Sequence, residues 1–166
     1  VTVTLTNISG AAIADLRYRR TMDWDIGPTT FNEYVTIDSG SATDLVFTSD
    51  DGFETSNPLG PQGSILFTGD AVDSGPDDHG ALFDFQFGAL AAGESKTFNI
   101  YYGGTFNEPD ALAALAAVGA EAFSFGQPSS VPPDFGEPNT FIFAFSGVGG
   151  EPLFGLDKEL TSGPDR

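Results

Sequence analysis

The sequence predicts a mainly β protein, a two-sheet β-sandwich with one short α-helix, built as a single domain over residues 1–166. Short runs of β-branched and aromatic residues alternate with clusters of Gly, Pro, Asp and Ser, which is the pattern of strands joined by turns. The 16 phenylalanines provide the apolar surface for a sizeable core. Because the chain contains no cysteine, that core has to hold the fold together without disulfides.

Nine segments have the composition and the two-residue alternation of strands. They cover residues 1–7, 13–24, 31–38, 44–48, 64–68, 82–87, 95–102, 122–125 and 141–146. Nine short strands suit two packed sheets better than one open sheet.

One segment, 109–119, departs from this pattern because it is dominated by alanine, the strongest helix former. Pro109 fits the first turn of a helix, and Gly119 fits its C-terminal cap. Leu112 and Leu115 fall on one face of that helix. We expect the helix to cover one open edge or one end of the sandwich.

The segment 126–139 is predicted to be a long loop, because its prolines lack the backbone donor that a strand needs. The residues that follow it are too few to fold alone, so a single domain remains the prediction. The chain starts inside a strand-like run and ends in loop-like sequence. We interpret it as a piece cut from a longer polypeptide.

The chain carries 24 acidic residues against 6 basic ones, a formal net charge of −18. This charge argues against binding to nucleic acid or to anionic lipid, since both require clustered Lys and Arg. Direct membrane insertion is not expected, because no apolar run approaches the roughly 20 residues of a membrane span. Salt or divalent cations relieve the repulsion within such a chain. We therefore expect an extracellular location, at a bacterial cell surface in calcium-rich water.

Calcium is the predicted cofactor, because it prefers carboxylate, carbonyl and water oxygens. The predicted ligands are Asp70, Asp73, Asp77 and Asp78 in one Asp-rich segment, with Asp50 and Asp51 as a second group. Further acidic clusters lie at 23–25 and 157–159. The alternative is that these residues are solvated turn acids, since Asp favours turns.

The segment 16–24 holds half of all basic residues and the only tryptophan, and two interpretations of it compete. In the first, Arg17 and Arg19 pair with carboxylates across the sheet while Trp24 enters the core. In the second, Arg17, Arg19 and Trp24, together with Tyr102, form a patch that binds a glycan, a peptide or a second copy of the domain.

No catalytic residues are predicted. Any two of the many carboxylates could in principle serve a hydrolase, so their presence says nothing about positioning. His79, the only histidine, lies in a Gly- and Asp-rich segment and is expected to be solvated. With one histidine and no cysteine, the usual zinc ligands are missing as well.

A family resemblance rests on two segments. Residues 1–7 read VTVTLTN, and residues 90–101 read LAAGESKTFNIY. Together they resemble the opening strand and the leucine, small, glycine, acidic, alternating-strand signature of bacterial immunoglobulin-like surface repeats of the CARDB kind. The resemblance implies a two-sheet immunoglobulin-like β-sandwich in a long exported protein, often an adhesin. The helix, the proline-rich loop and the length depart from a plain repeat of that family.

The acidity and the loop-rich β structure also resemble accessory domains of large RTX-type adhesins, although the repeated Gly-Gly-x-Gly-x-Asp nonapeptide of the RTX β-roll is absent. These observations predict a non-catalytic structural or adhesive module of a large exported bacterial surface protein, stabilised by calcium and self-associating. Its partners would be neighbouring domains of the same polypeptide and a second copy in a homodimer. The alternative is a carbohydrate- or peptide-binding module.

Overall fold

A computed structural model describes residues 1–129 and 139–153. Its elements, in chain order, are β1 (Thr2–Thr6), β2 (Ile13–Asp23), β3 (Glu33–Asp38), β4 (Leu45–Ser49), β5 (Ala71–Asp77), β6 (Gly80–Leu90), β7 (Ser95–Thr105), α1 (Glu108–Val118), β8 (Ala122–Pro128) and β9 (Thr140–Ser146). The acidic residues at 157–159 and most of the predicted proline-rich loop lie outside the described residues. Within the described part of the chain, no helix is both long and apolar enough to cross a membrane.

The strands form two antiparallel sheets, which confirms the predicted β-sandwich. The large sheet has the order β1-β7-β9-β8-β3-β5, and the small sheet has the order β2-β6-β4. Because β2, β4 and β6 alternate along the chain with strands of the large sheet, the chain crosses between the sheets several times. Its connections therefore gather at the ends of the sandwich, and the longest of those described joins β4 to β5.

The core between the sheets is built mainly from phenylalanine. Phe83 and Phe85 of β6 contact Phe145 of β9, with ring centroids 4.9 and 4.8 Å apart. Phe143 meets Phe83 edge-on at 5.6 Å. All four side chains are almost completely buried. Tilted and edge-to-face contacts of this kind add to the free energy gained from burying the rings.

Helix α1 covers the outer face of the large sheet, so the prediction that it plugs an edge or an end was wrong. Ala111 and Leu115 are buried against Phe123, Phe125 and Ile142. Strands β8 and β9 are apolar on both faces, because alternate side chains point into the sandwich and out toward the helix. An apolar outer face needs a second cover, and α1 supplies it.

The ends of α1 have Pro109 in the first turn and Gly119 at the C-terminal cap, as predicted, together with an N-terminal cap, Asn107, that was not predicted. The Asn107 side chain accepts a hydrogen bond from the backbone N–H of Asp110 at 2.8 Å, which satisfies one of the free donors of the first turn. Gly119 adopts a φ of 61°, a left-handed conformation that suits glycine, and closes the C-terminal end. The helix begins one residue before the predicted start and ends at Val118.

Three predicted local structures differ from the structure. The segment 64–68 is not a strand and makes a single bridge, between Ser49 and Thr68. The Asp-rich segment expected to be a loop contains edge strand β5, whose irregular register with β3 accommodates Gly75 and Pro76. The predicted loop at 126–139 begins later, since β8 continues to Pro128.

Candidate functional site

Three carboxylates meet at one end of the sandwich, and we call Asp23, Asp25 and Asp78 the acidic cluster. One oxygen from each residue lies within 4.8 Å of the corresponding oxygens of the other two. Asp23 is the last residue of β2, Asp25 follows it in the β2–β3 connection, and Asp78 lies in the connection between β5 and β6.

Strand pairing explains why these residues meet. In the β2–β6 ladder Asp23 is opposite Gly80, so the end of β2 lies beside the residues that lead into β6. The backbone N–H of Trp24 donates to the carbonyl of His79 at 3.2 Å and extends the contact by one residue. Both Asp23 and Asp25 are therefore held next to Asp78, although more than 50 residues separate them along the chain.

Glu33 is a fourth carboxylate beside the acidic cluster, and it is completely buried. Its Oε1 accepts hydrogen bonds from the backbone N–H groups of Ile26 and Phe31, each at 2.9 Å. Its Oε2 is buried and has no hydrogen-bond partner among the described residues. Ile26 follows Asp25 directly, and Glu33 is opposite Asp77 in the β3–β5 ladder. Glu33 is near enough for its charge to raise the pKa of Asp23, but it is not one of the three carboxylates whose oxygens converge.

The crowding of negative charge affects the protonation of Asp23. Its pKa is raised above the ordinary value, first by burial and then by the charges of Asp25, Asp78 and Glu33, while a hydrogen bond from the backbone N–H of Trp24 acts in the opposite direction. Like charges this close disfavour the ionised form. A bound cation would reverse this effect and stabilise all of the carboxylates in their ionised forms.

The donor set fits a hard divalent cation. Calcium binds six to eight oxygens at about 2.3–2.6 Å, so oxygens that share one ion lie no more than about 5 Å apart. The three oxygens of the acidic cluster meet that limit. Asp23 and Asp25 are exposed, which leaves a path from solvent to the cluster.

A second polar group lies next to the cluster and is built around the only histidine. His79 is completely buried, so the expectation that it is solvated was wrong. Its Nδ1 lies 3.0 Å from Oδ2 of Asp50. The Asp50 carboxylate also accepts backbone N–H groups from Ile65 and Leu66, both at 2.9 Å, and thereby holds the long β4–β5 connection in place.

A buried ion pair also holds the β4–β5 connection in place. Arg19 donates from Nε and Nη2 to the two carboxylate oxygens of Asp84, at 2.6 and 2.8 Å. Its Nη1 donates to the backbone carbonyls of Thr55 and Pro61 at 3.2 and 2.7 Å. Arg17 instead pairs with Asp15 at 2.8 Å on the surface. Arg19 therefore pairs across the sheet as the first of the two interpretations predicted, whereas Arg17 pairs with a residue of its own strand.

The residues predicted for a ligand patch do not share one exposed surface. Arg19 and Trp24 are buried, and the indole N–H of Trp24 donates to Ser124 Oγ at 3.2 Å. Tyr102 is 45% exposed, and its hydroxyl accepts a hydrogen bond from Arg20 Nε at 3.2 Å. Of the four, Arg17 and Tyr102 remain at the surface.

Of the six predicted calcium ligands, Asp78 is the one that joins the acidic cluster. The carboxylates of the other five accept hydrogen bonds elsewhere: Asp50 near His79, Asp51 from Phe53, Asp70 from Ser39, Asp73 from Thr36 and Asp77 from Asp78. Sequence reasoning noted the acidic residues at 23–25 but did not rank them as ligands. The pairing of β2 with β6, which brings them to Asp78, has no local signal in the sequence.

Comparison with protein families, with curated proteins and with solved structures found no match to this chain. The resemblance to bacterial immunoglobulin-like surface repeats therefore stays a prediction, drawn from residues 1–7 and 90–101.

Proposed function

We propose that this chain is a non-catalytic structural and adhesive module of a large exported bacterial surface protein, stabilised by calcium. The observation that carries the proposal is that the side chains best suited to catalysis or ligand binding are buried and make contacts inside the protein. The only histidine is buried against Asp50, the only tryptophan is in the core, and Arg19 is buried against Asp84. Side chains used in this way favour a rigid spacer over a catalyst.

The charge of the chain supports the calcium dependence and the extracellular location. A net charge of −18 weakens the folded state through repulsion, and divalent cations relieve that repulsion most effectively where carboxylates converge. The acidic cluster is such a place. Calcium is abundant outside cells, so a module of this kind would be most stable after export. Its partners there would be the neighbouring domains of the same polypeptide and a second copy of the module.

Thermal unfolding tests the proposal when it is measured with EDTA, with magnesium and with calcium at matched ionic strength. Matched salt separates specific binding from general screening. Light scattering in the same three conditions measures the mass. We expect the melting temperature to rise with calcium alone and the mass in calcium to be that of a dimer. Equal melting temperatures in all three conditions would remove calcium from the proposal, and a monomer mass throughout would remove self-association.

A second candidate function, carbohydrate or peptide binding, is favoured by the surface around Tyr102. Its half-exposed ring is fixed on one side by stacking on Phe143, at a centroid distance of 5.5 Å. Its hydroxyl is fixed by Arg20, and the next two residues are Gly103 and Gly104, which add no side chains beside it. A preorganised aromatic next to a cation suits sugars and peptides. Binding on a glycan or peptide array that Tyr102→Ala abolishes would support this function.

A further inference from the structure

We infer that two copies of this chain associate through strand β2, which pairs with its counterpart antiparallel across a two-fold axis and places Arg17 of each copy opposite Asp23 of the other. The inference rests on the proposed self-association and assigns it to a surface. That surface is an edge of the small sheet, so the dimer would contain one continuous sheet of six strands, three from each copy.

β2 is the longest strand at a sheet edge in the described chain. It pairs with β6 on one side and with no described strand on the other. The edge strands β1 and β4 have five residues each, and edge strand β5 contains Gly75 and Pro76 and pairs irregularly with β3. β2 has 11 residues, none of them glycine or proline. A long edge with unpaired backbone groups is a template for a further strand.

The backbone of β2 faces β6 and the open edge by turns. The N–H of Trp24 donates to the carbonyl of His79 at 3.2 Å, so Trp24 faces the β6 side. The register with β6 is regular from Arg17 to Asp23, and in an antiparallel ladder every second residue faces the same side. The N–H and C=O groups that point to the open edge therefore belong to Arg17, Arg19, Thr21 and Asp23.

One register pairs all four of these residues with the same four of a second copy. With Arg20 on the two-fold axis, Arg17 is opposite Asp23 and Arg19 is opposite Thr21. A shift in either direction leaves at least one of the four without a partner. The irregular register with β6 before Arg17 and the end of β2 at Asp23 limit the pairing to this segment.

The charges of the segment are complementary to themselves in this register. Three of the four lysines and arginines in the described chain lie on β2. Asp23 makes no ion pair within the described residues, and burial together with neighbouring carboxylates raises its pKa. Arg17 of a second copy would give the Asp23 carboxylate a cation, and the contact occurs twice in a two-fold dimer.

The side chains on the core face of β2 would also meet across the axis. Tyr18 is opposite Met22 of the second copy, and each is partly buried against the core of its own chain. A thioether beside an aromatic ring is a favourable contact. Arg20 is opposite its own counterpart, which is unfavourable, but its Nε donates to the Tyr102 hydroxyl at 3.2 Å and directs the guanidinium toward β7.

Repulsion between two acidic chains sets the conditions under which the dimer forms. Each copy carries a net charge of −18, so the copies repel each other at long range. Salt at about 0.15 M screens exposed charges that are more than about 8 Å apart, whereas the paired charges of Arg17 and Asp23 would be closer than that. Calcium adds to the screening. The dimer is therefore expected in calcium, as in the proposed function.

A disulfide tests the register directly, because the chain contains no cysteine of its own. Arg20→Cys places two thiols opposite each other in a non-hydrogen-bonded pair, with Cα atoms about 4.5 Å apart, which a disulfide can span. With oxidised glutathione in calcium, we expect most of this variant to become a covalent dimer on a non-reducing gel. Asp23→Cys is the control and should stay monomeric, since its two thiols would lie about 20 Å apart along the paired strands.

Two glutamine variants test the ion pair at equal net charge. Arg17→Gln and Arg20→Gln each remove one positive charge from β2, so both add equally to the general repulsion. Arg17→Gln loses two ion pairs per dimer and should raise the dissociation constant of the dimer about threefold or more. Arg20→Gln removes the like-charge contact on the axis and should dimerise at least as tightly as the wild type. Analytical ultracentrifugation over a dilution series in calcium measures both constants.

A charge exchange tests which residues meet. Arg17→Asp and Asp23→Arg should each weaken the dimer by roughly tenfold or more, because each puts like charges opposite one another at two places. The variant that carries both changes restores opposite charges and should recover the wild-type dissociation constant to within about threefold. Circular dichroism shows that each variant is folded before it is measured. Weakening by both single changes without recovery in the double variant would contradict the contact.

The outcomes separate the surface from the proposed function. If the wild type is a dimer but Arg20→Cys forms no covalent dimer and Arg17→Gln dimerises as the wild type does, the surface is wrong and self-association survives. If Asp23→Cys is cross-linked as readily as Arg20→Cys, the register is wrong and the inference is overturned. If the wild type is a monomer throughout, the inference fails together with self-association, while the calcium dependence is still judged by the melting temperature.

Discussion

Ionised Asp23 destabilises the folded protein, because it is partly desolvated and lies among other carboxylates. Burial and three neighbouring carboxylates raise its pKa, so folded Asp23 takes up a proton at higher pH than unfolded Asp23 does. The folded state then binds more protons than the unfolded state within that window. Without a cation, the resulting destabilisation is fully present above the folded pKa and disappears below the unfolded pKa.

Urea unfolding in EDTA at a series of pH values tests whether Asp23 destabilises the protein more at high pH than at low pH. We expect the free energy of unfolding of the wild type, relative to Asp23→Asn, to rise as pH falls from neutral through the raised pKa of Asp23. The comparison with the variant cancels the general repulsion of an acidic chain. A difference between the two proteins that stays constant across the series would contradict the assigned repulsion.

Arg19 shows the opposite case, a charge that is fully compensated. Its side chain is buried against Asp84 and two backbone carbonyls. Arg19→Met should destabilise the protein by about 3–5 kcal/mol, because it leaves the Asp84 carboxylate buried without its partner. Arg17→Met at the exposed pair with Asp15 is the control and should cost no more than about 1 kcal/mol. Equal losses in denaturant unfolding would show that the Arg19 pair is not a structural brace.

Helix α1 is the element whose role the structure redefines, and one substitution tests that role. Leu115→Ala should lower the free energy of unfolding by about 2–5 kcal/mol, since it opens a cavity against Phe123, Phe125 and Ile142. Val118→Ala, on the exposed side of the same helix, should change it by less than about 0.5 kcal/mol. A loss for Leu115→Ala no larger than for Val118→Ala would mean that the helix does not cover the sheet as described.

The elements also show what the sequence could and could not predict. Local signals were sufficient for α1, where alanine content, Pro109 and Gly119 agree, and for eight of the strands, where alternation is clear. Strand β5 was missed, because Gly75, Pro76 and several aspartates are turn residues and only pairing with β3 makes the segment extended. The acidic cluster was missed for a related reason, since the β2–β6 register that assembles it is a long-range property.

The whole molecule combines three features: a sandwich of two unequal sheets, a net charge of −18, and three carboxylates that converge where β2 ends and β6 begins. We propose that repulsion among these carboxylates weakens the fold without calcium and that bound calcium relieves it. On the proposed function, the module would be less stable before export than in calcium-rich surroundings outside the cell.

The most direct test compares the melting temperature in calcium with that in magnesium, at matched ionic strength, for the wild type and for Asp78→Asn. At calcium about a hundredfold above Kd, binding to the folded state adds about 2.7 kcal/mol, which corresponds to a rise of roughly 5–11 °C for a chain of this size. We expect that rise in the wild type and its loss in Asp78→Asn. A wild type that melts at the same temperature in both cations would contradict the proposed stabilisation by calcium.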